Sequence, residues 1–307
     1  VRRALYRFLP LLAAQVIEAF IIRKDYDVVL SWYEKLGFPY ALLCKLARDR
    51  SVPHVALCGW PGFGMKLRML RYVHAYIDRI VLWSSVQRNI VTAEGGVPAE
   101  RIYFTKWFVD QKFFRPLPTK PDMICSVGSE MRDFLTLLEA MRGLDIQCHI
   151  AAGTGHRLPT EWVTAVEKAK HRPPNVTIGR RNAKELRDLY ARSRFVVIPL
   201  LESNTDNGIT CILEAMAMGK TVICSRTRGQ VDVIEEGKTA IFVPLGDSKA
   251  LRESILYLWN NPHVAEEMGN AAREYVEKYQ TLDKFLGDLK VSIERVLEEK
   301  GSEMVRS

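Results

Sequence analysis

Apolar positions along the chain gather into short runs set between polar or helical stretches. In the first third these are Asp27-Val28-Val29-Leu30, His54-Val55-Ala56-Leu57, Arg79-Ile80-Val81-Leu82 and Ile102-Tyr103-Phe104. After them come residues 123–127, 147–152, 176–178, 195–199, 221–224 and 240–243. Runs this short, bounded by turn residues, predict buried strands, and the longer segments between most of them have the period of amphipathic helices. Strand–helix alternation of this kind predicts an α/β fold with doubly wound parallel sheets. Pro116-Leu117-Pro118-Thr119-Lys120-Pro121 is the clearest break, because proline and polar residues together interrupt both periods. It divides the chain into an N-terminal domain, 1–116, and a second domain, 117–280. The stretch Thr281 to Lys300 reads as a long amphipathic helix, which sets 281–307 apart as a C-terminal helix.

Composition changes this picture little. A chain of 307 residues, 48% hydrophobic and 26% charged, suffices for two domains with real cores. No apolar run reaches the length of a membrane span; the nearest, Leu9 to Ile22, is short and contains Gln15 and Glu18. The chain opens Val-Arg-Arg without a small-residue cleavage site, and no signal peptide is read. The six cysteines show no C-x-x-C spacing, which fits reduced core residues of a cytoplasmic protein. Charge is more informative. Residues 1–116 hold 18 Lys and Arg against 9 Asp and Glu, a net of +9, while the rest of the chain is nearly neutral. Lys66, Arg68, Arg71 and Arg79 interleave with Leu67, Leu70, Tyr72, Ile77 and Trp83. A basic helix of this kind has two readings, a peripheral surface for anionic membrane or lipid-linked acceptors, and an ordinary packed helix with a solvated face. No nucleic-acid module is present, and no nucleic-acid partner is expected.

The chemistry concentrates between residues 203 and 223. Polar, turn-forming Ser203-Asn204-Thr205-Asp206-Asn207-Gly208 follows an apolar strand, a helix starts near Ile209, and a second strand follows Gly219. Such a loop lies at the carboxyl end of a strand, where open α/β sheets bind ligands. The free N–H groups at the helix start suit a phosphate, and Gly208 admits one without a Cβ in the way. Asp206 just before the helix and Glu214 two turns into it place two carboxylates along one ligand. Taken alone, the pair also reads as a helix cap and a solvated helix residue.

The two acidic residues separated by seven, the glycine two after the first, and Glu214-Ala215-Met216-Ala217 together resemble the donor-sugar signature of the retaining family 4 glycosyltransferases, glycosyl transferases group 1, which have the GT-B fold. Here Asp206 stands where that family usually has Glu, and Asn207 where it usually has an aromatic residue. Val109-Asp110-Gln111-Lys112-Phe113-Phe114-Arg115-Pro116 is similar to the family's segment leading into the second domain. Leu82-Trp83-Ser84-Ser85 is similar to its strand ending in Ser. Gly128-Ser129-Glu130-Met131-Arg132 occupies its first phosphate-binding loop, with Arg132 on one of two usual cation positions and Ser129 replacing the other. Ala152-Gly153-Thr154-Gly155 is a glycine turn after the next strand. The strand ending Gly179-Arg180 resembles the one whose backbone recognises the base, and Leu186, Leu189 and Tyr190 are read as core.

The resemblance implies two Rossmann-like domains, the N-terminal one incomplete and braced by the C-terminal helix 281–307, and transfer of a sugar from a nucleotide diphosphate sugar to a hydroxyl acceptor with retention, in glycan or glycolipid synthesis. Arg132 and Asp206 are the candidate catalytic residues. Gly128, Arg132, Gly179, Arg180, Asp206, Asn207, Gly208, Ile209, Thr210 and Glu214 are the candidate donor-binding residues. No Asp-x-Asp motif is present, so no essential metal or cofactor is expected. The family's opening strands and acceptor-side Gly-rich loop have no counterpart before Asp27, and its usual His after the second strand is replaced by Cys58 or Gly59. These departures leave two other readings: an inactive nucleotide-sugar-binding or membrane-associated partner, and a GT-B epimerase or hydrolase. They also leave a fragment and a naturally short protein side by side.

Overall fold

The computed structural model describes residues 6–153, 161–169 and 172–306. It resolves into two compact units, the first made of Val1–Lys106 with Phe285–Ser307, the second of Trp107–Lys284.

Unit 1 begins with helix α1 (Leu11–Ile22), then β1 (Val29–Trp32), α2 (Glu34–Ala47), β2 (His54–Leu57), α3 (Met65–Val73), β3 (Arg79–Leu82), α4 (Ser85–Ala93) and β4 (Ile102–Phe104). The four strands pair in parallel in the order β1-β2-β3-β4, so each helix is a crossover to the next strand. Strands β2 and β3 are buried throughout, which is why they read as unbroken apolar runs. Phe38 and Ala41 of α2, Leu67, Leu70 and Val73 of α3 and Val91 of α4 pack with Ala56, Ile80 and Leu82 into one core.

Unit 2 holds β5 (Met123–Val127), α5 (Phe134–Met141), β6 (Cys148–Ala151), α6 (Glu161–Glu167), β7 (Val176–Gly179), α7 (Ala183–Arg192), β8 (Ser193–Ile198), α8 (Ile209–Ala217), β9 (Thr221–Ser225), β10 (Ala240–Val243), α9 (Ser248–Asn260) and α10 (Pro262–Tyr279). Its six strands are all parallel, in the order β10-β9-β8-β5-β6-β7. The chain runs outward from β5 through β6 to β7, then returns to the other side of β5 with β8. The switch point therefore lies between β5 and β8, and the crevice beyond their carboxyl ends is where such a sheet takes its ligand.

The final helix, α11 (Leu282–Arg306), belongs to unit 1 from Phe285 onward. Phe285, Leu289 and Val296 are buried. Thr105 Oγ1 donates to Asp288 at 2.7 Å, and buried Arg79 pairs with Glu299 at 2.5 Å.

Two features depart from the sequence reading. The division between units falls after Lys106 rather than in the proline run at 116/117, and after Lys284 rather than at 280/281. Hydrogen bonding explains both. The Val109 N–H donates to the Gln280 carbonyl at 2.9 Å and Val109 bridges Thr281, while the Arg273 guanidinium donates to the carbonyls of Gln111 at 3.2 Å and Phe114 at 2.9 Å. The segment that reads as a linker is thereby fastened to unit 2. The basic stretch is likewise not one helix: α3 ends at Val73, and Arg79 lies on β3, where it bonds the Glu100 carbonyl and Glu299. Lys66 pairs with Glu34, and Arg71 donates to the Glu94 carbonyl. No described helix is long and apolar enough to cross a membrane.

Candidate functional site

Two loops meet at the switch point of unit 2. The first leaves β5 through Gly128, whose φ of +102° is a backbone conformation that side chains rarely adopt. It turns back at Met131, also at positive φ (54°), and is stapled to the exit of β8. Arg132 forms an antiparallel bridge with Leu200, the Asp133 N–H donates to the Pro199 carbonyl at 3.1 Å, and the Leu201 N–H donates to the Met131 carbonyl at 3.0 Å. Asp133 then caps α5 by accepting from the Thr136 N–H, so it is not a partner for Arg132.

This stapling drives the Arg132 side chain inward, to 4% exposure. Its guanidinium donates to the carbonyls of Val127 at 3.0 Å and Glu130 at 2.6 Å, and lies 3.6 Å from the Cys211 thiol on α8. A Cβ on Gly128 would stand 2.2 Å from Arg132 Nη2, and one on Gly208 would stand 3.4 Å from it. The cation thus sits between the two glycines the sequence singles out. Among the described residues no carboxylate pairs with it. A buried cation held only by neutral acceptors is poised for an anion from outside.

The second loop delivers α8. Gly208 is its N-cap, with φ of +88° and no capping side chain, so beyond the Ile209 amide the first turn has no side-chain acceptor. The loop before it is fixed by its neighbours. Asn207 Nδ2 donates to Thr205 Oγ1 at 2.7 Å, and the Asn207 carbonyl accepts from buried Gln230 at 3.0 Å. The Gly229 N–H donates to the Ser203 carbonyl at 2.9 Å. Asp206 is consequently buried to 3% exposure, and its carbonyl accepts from the Ile209 N–H at 3.1 Å. Thr210 is exposed on the first turn, where the Trp107 indole N–H donates to its hydroxyl at 3.4 Å.

Glu214 lies farther along α8 and is partly buried. Its Oε2 accepts from the hydroxyl of fully buried Tyr190 on α7 at 2.9 Å. Burial pushes the Glu214 carboxyl up to about 7, and the bond from Tyr190 pulls it the other way. The folded chain therefore holds an extra proton between the ordinary carboxylate value and about 7. Stability should fall as pH rises through that window, by about 3 kcal/mol in total, and level off above it. Glu214→Gln should flatten this slope. Tyr190→Phe, which removes a bond favouring the charged form, should move its upper end to higher pH. Urea denaturation midpoints from about pH 5 to 8 measure both, and an unaltered slope in Glu214→Gln would contradict burial of this carboxyl as its cause.

Gly179 and Arg180 lie apart from this group. Gly179 ends β7 and Arg180 follows it, at the edge of the sheet, two strands from β5, on the same carboxyl rim. Arg180 is exposed, and the side chain beside Gly179 is Arg181, whose Nη1 lies 3.1 Å from where a Gly179 Cβ would stand. Buried His149 sits there too, bonded through Nδ1 to Thr177 Oγ1 at 2.7 Å and held neutral, its pKa lowered to about 4 by burial and then by Arg181. Of the glycine turn after β6, Gly153 is described, at φ +89°, whereas Thr154 and Gly155 lie outside the described residues.

The structure thus brings Gly128, Arg132 and Gly208 together at the switch point, with Asp206, Asn207, Ile209, Thr210 and Glu214 on the loop and helix that carry Gly208, and sets Gly179 and Arg180 at the edge of the sheet. The sequence reading missed Tyr190 as the partner of Glu214, and Gln230 as the support of Asn207. For Gln230 a signal existed: Arg226-Thr227-Arg228-Gly229-Gln230 follows β9 at the same sheet end. For Tyr190 none did, because a buried tyrosine on a helix reads as core.

Residues 124–261 match the family model described as glycosyl transferases group 1. The sulfoquinovosyl transferase SQD2 of Arabidopsis thaliana is 25% identical over 224 residues, 69% of this chain and 43% of that protein. An uncharacterized glycosyltransferase of Methanocaldococcus jannaschii is 26% identical over 102 residues, 33% of this chain and 28% of that protein. The chain spans less than half the length of these curated relatives. Among solved structures, the sucrose-phosphate synthase of Thermosynechococcus elongatus superposes with a TM-score of 0.73 at 16% identity, over 96% of this chain and 77% of that one. The HepE protein of Anabaena, solved with UDP-glucose, gives 0.74 at 15% identity, over 96% and 84%. Residues 124–261 are therefore similar to the glycosyl transferases group 1 family, on a chain whose two parallel sheets are those of the GT-B glycosyltransferase fold.

Proposed function

We propose that the chain is a retaining glycosyltransferase that moves a sugar from a nucleotide diphosphate sugar to a hydroxyl acceptor. The observation that carries this is the buried Arg132 guanidinium, without a carboxylate partner among the described residues, beside the uncapped start of α8. Both complement a diphosphate. A guanidinium offers two parallel donors to phosphate oxygens, and the helix start adds backbone N–H groups and the positive end of its dipole. Uridine diphosphate is the favoured carrier, since HepE was solved with UDP and with UDP-glucose.

In this reading the bond between the anomeric carbon and the diphosphate oxygen breaks as the acceptor oxygen bonds to that carbon from the same face. The acceptor proton passes to the departing phosphate oxygen, so no carboxylate base is assigned. Negative charge grows on the diphosphate during this step, where Arg132 and the α8 amides are already oriented to receive it. Asp206 holds sugar hydroxyls and stabilises positive charge on the ring. Glu214, fixed by Tyr190, accepts from the ribose hydroxyls, and so binding should strengthen as it ionises.

Incubation of the full chain with a set of UDP-sugars and simple acceptors tests this. The expected result is UDP release with a product whose anomeric proton coupling, read by NMR, matches that of the donor. An inverted product would contradict retention, and release of UDP without any glycosylated product would make the chain a hydrolase.

A further inference from the structure

We propose that Gln230 is a positioning residue for the donor, and that it acts by aiming the Gly208 N–H at the diphosphate. That the anion is a diphosphate rests on the transferase reading. The loop after β9 lies along the loop that leads from β8 to α8. Ser225 Oγ accepts from the Leu200 N–H at 3.0 Å, the Arg228 N–H donates to Glu202 Oε1 at 3.1 Å, and the Gly229 N–H donates to the Ser203 carbonyl at 2.9 Å. Gly229 is packed so closely that an added Cβ would stand 2.0 Å from the Thr205 carbonyl oxygen. Gln230 makes the last contact of this row, its Nε2 donating to the Asn207 carbonyl at 3.0 Å.

That carbonyl belongs to the peptide unit whose N–H is that of Gly208. No peptide bond among the described residues is cis, and in a trans unit the C=O and N–H point in opposite directions. Anchoring the Asn207 carbonyl on Gln230 therefore turns the Gly208 N–H away from the loop after β9. Among the described residues this N–H has no acceptor. Arg132 Nη2 lies 3.4 Å from where a Gly208 Cβ would stand, so the amide and the guanidinium are neighbours. One phosphate group can then meet both, provided that the peptide unit keeps its orientation.

The choice of side chain supports this role. Gln230 is 1% exposed, and its Oε1 is buried without a partner. A buried carbonyl left unpaired is costly, and an apolar side chain of the same volume would avoid that cost. The glutamine contributes what such a side chain lacks, a donor to Asn207. Its two ends are not interchangeable, because the turned-over amide would set Oε1 against the Asn207 carbonyl, two acceptors face to face.

Calorimetric titration of the full chain with UDP, wild type beside Gln230→Glu and Gln230→Met, tests this from about pH 5 to 8. The ratio of wild-type to variant affinity at each pH is read, so that the titration of Glu214 divides out. Glu202, Asp206, Arg226, Arg228 and Asp232 on the two loops, and Arg132 beside them, are likewise common to all three proteins. Gln230→Glu keeps the shape of the side chain, and burial raises its carboxyl. Protonated, it donates to Asn207 as the amide does; ionised, it faces that carbonyl as a second acceptor and turns the peptide unit. Its ratio should be near one at the acid end and about 10–10²-fold at the other, the scale of a loss from misplacement alone. Gln230→Met, close in volume and without a donor, should show a similar loss at every pH. A ratio for Gln230→Glu that does not change with pH, or full affinity in Gln230→Met, would overturn the proposal. A merely structural role would lower the urea midpoints of both variants and leave affinity unchanged. Variants that bind as the wild type does would sink this proposal alone, whereas a wild type that binds no UDP would remove the donor reading and this role with it.

Discussion

Arg132→Ala is expected to lower turnover by about 10²–10³-fold, the loss seen when one preorganised donor to a developing negative charge is removed. The size follows from the site's economy of cations. The loop after β5 supplies one buried guanidinium, with Ser129 on the position where a second would stand, so no neighbouring side chain on this loop replaces it. The guanidinium also bridges the two loops, bonding the Val127 and Glu130 carbonyls on one side and approaching Cys211 on the other. Alanine would leave those carbonyls without their donor, so some stability is lost too. Arg132→Lys separates the effects. A lysine keeps the charge but not the two-pronged geometry, and its turnover should lie between alanine and wild type. Steady-state rates at saturating donor measure this; near-normal turnover in Arg132→Ala would contradict the diphosphate role.

Gly128→Ala should remove donor binding almost as completely, by a different route. Its φ of +102° strains any side chain, at a cost of about 1–3 kcal/mol. The added Cβ would also overlap Arg132, with Nη2 at 2.2 Å and Cζ at 2.7 Å, and displace the cation. Gly237→Ala is the control, since Gly237 has a positive φ of 75° and no atom within 4 Å of the added Cβ. It should cost stability and leave binding unchanged. Nucleotide affinity by calorimetry, with urea unfolding for stability, distinguishes the two. Full affinity in Gly128→Ala would mean that Arg132 moves without consequence.

The strands were legible in the sequence because buried parallel strands have to be short and apolar on both faces, as β2 and β3 show. Glycine, asparagine and aspartate before Ile209 marked the start of α8 for a similarly local reason. What the sequence concealed is long-range. Arg132 carries a charge and sits in a loop, which by composition predicts exposure, yet the bridge to Leu200 buries it. Tyr190 lies 24 residues from Glu214 and meets it only through its hydroxyl, across a fold that the sequence does not spell out. The unit boundary was misplaced because proline marks where local structure breaks, whereas Arg273 decides which unit holds the segment.

The central claim is that the crevice between β5 and β8 takes a nucleotide diphosphate. The most direct measurement is a thermal-shift series of UDP, GDP and ADP on the full chain and on Glu214→Ala, because a ligand that binds only the folded state raises its melting temperature. The expected result is stabilisation by UDP that rises with its concentration and is lost in Glu214→Ala. A folded wild-type chain whose melting temperature none of the three raises would contradict the account.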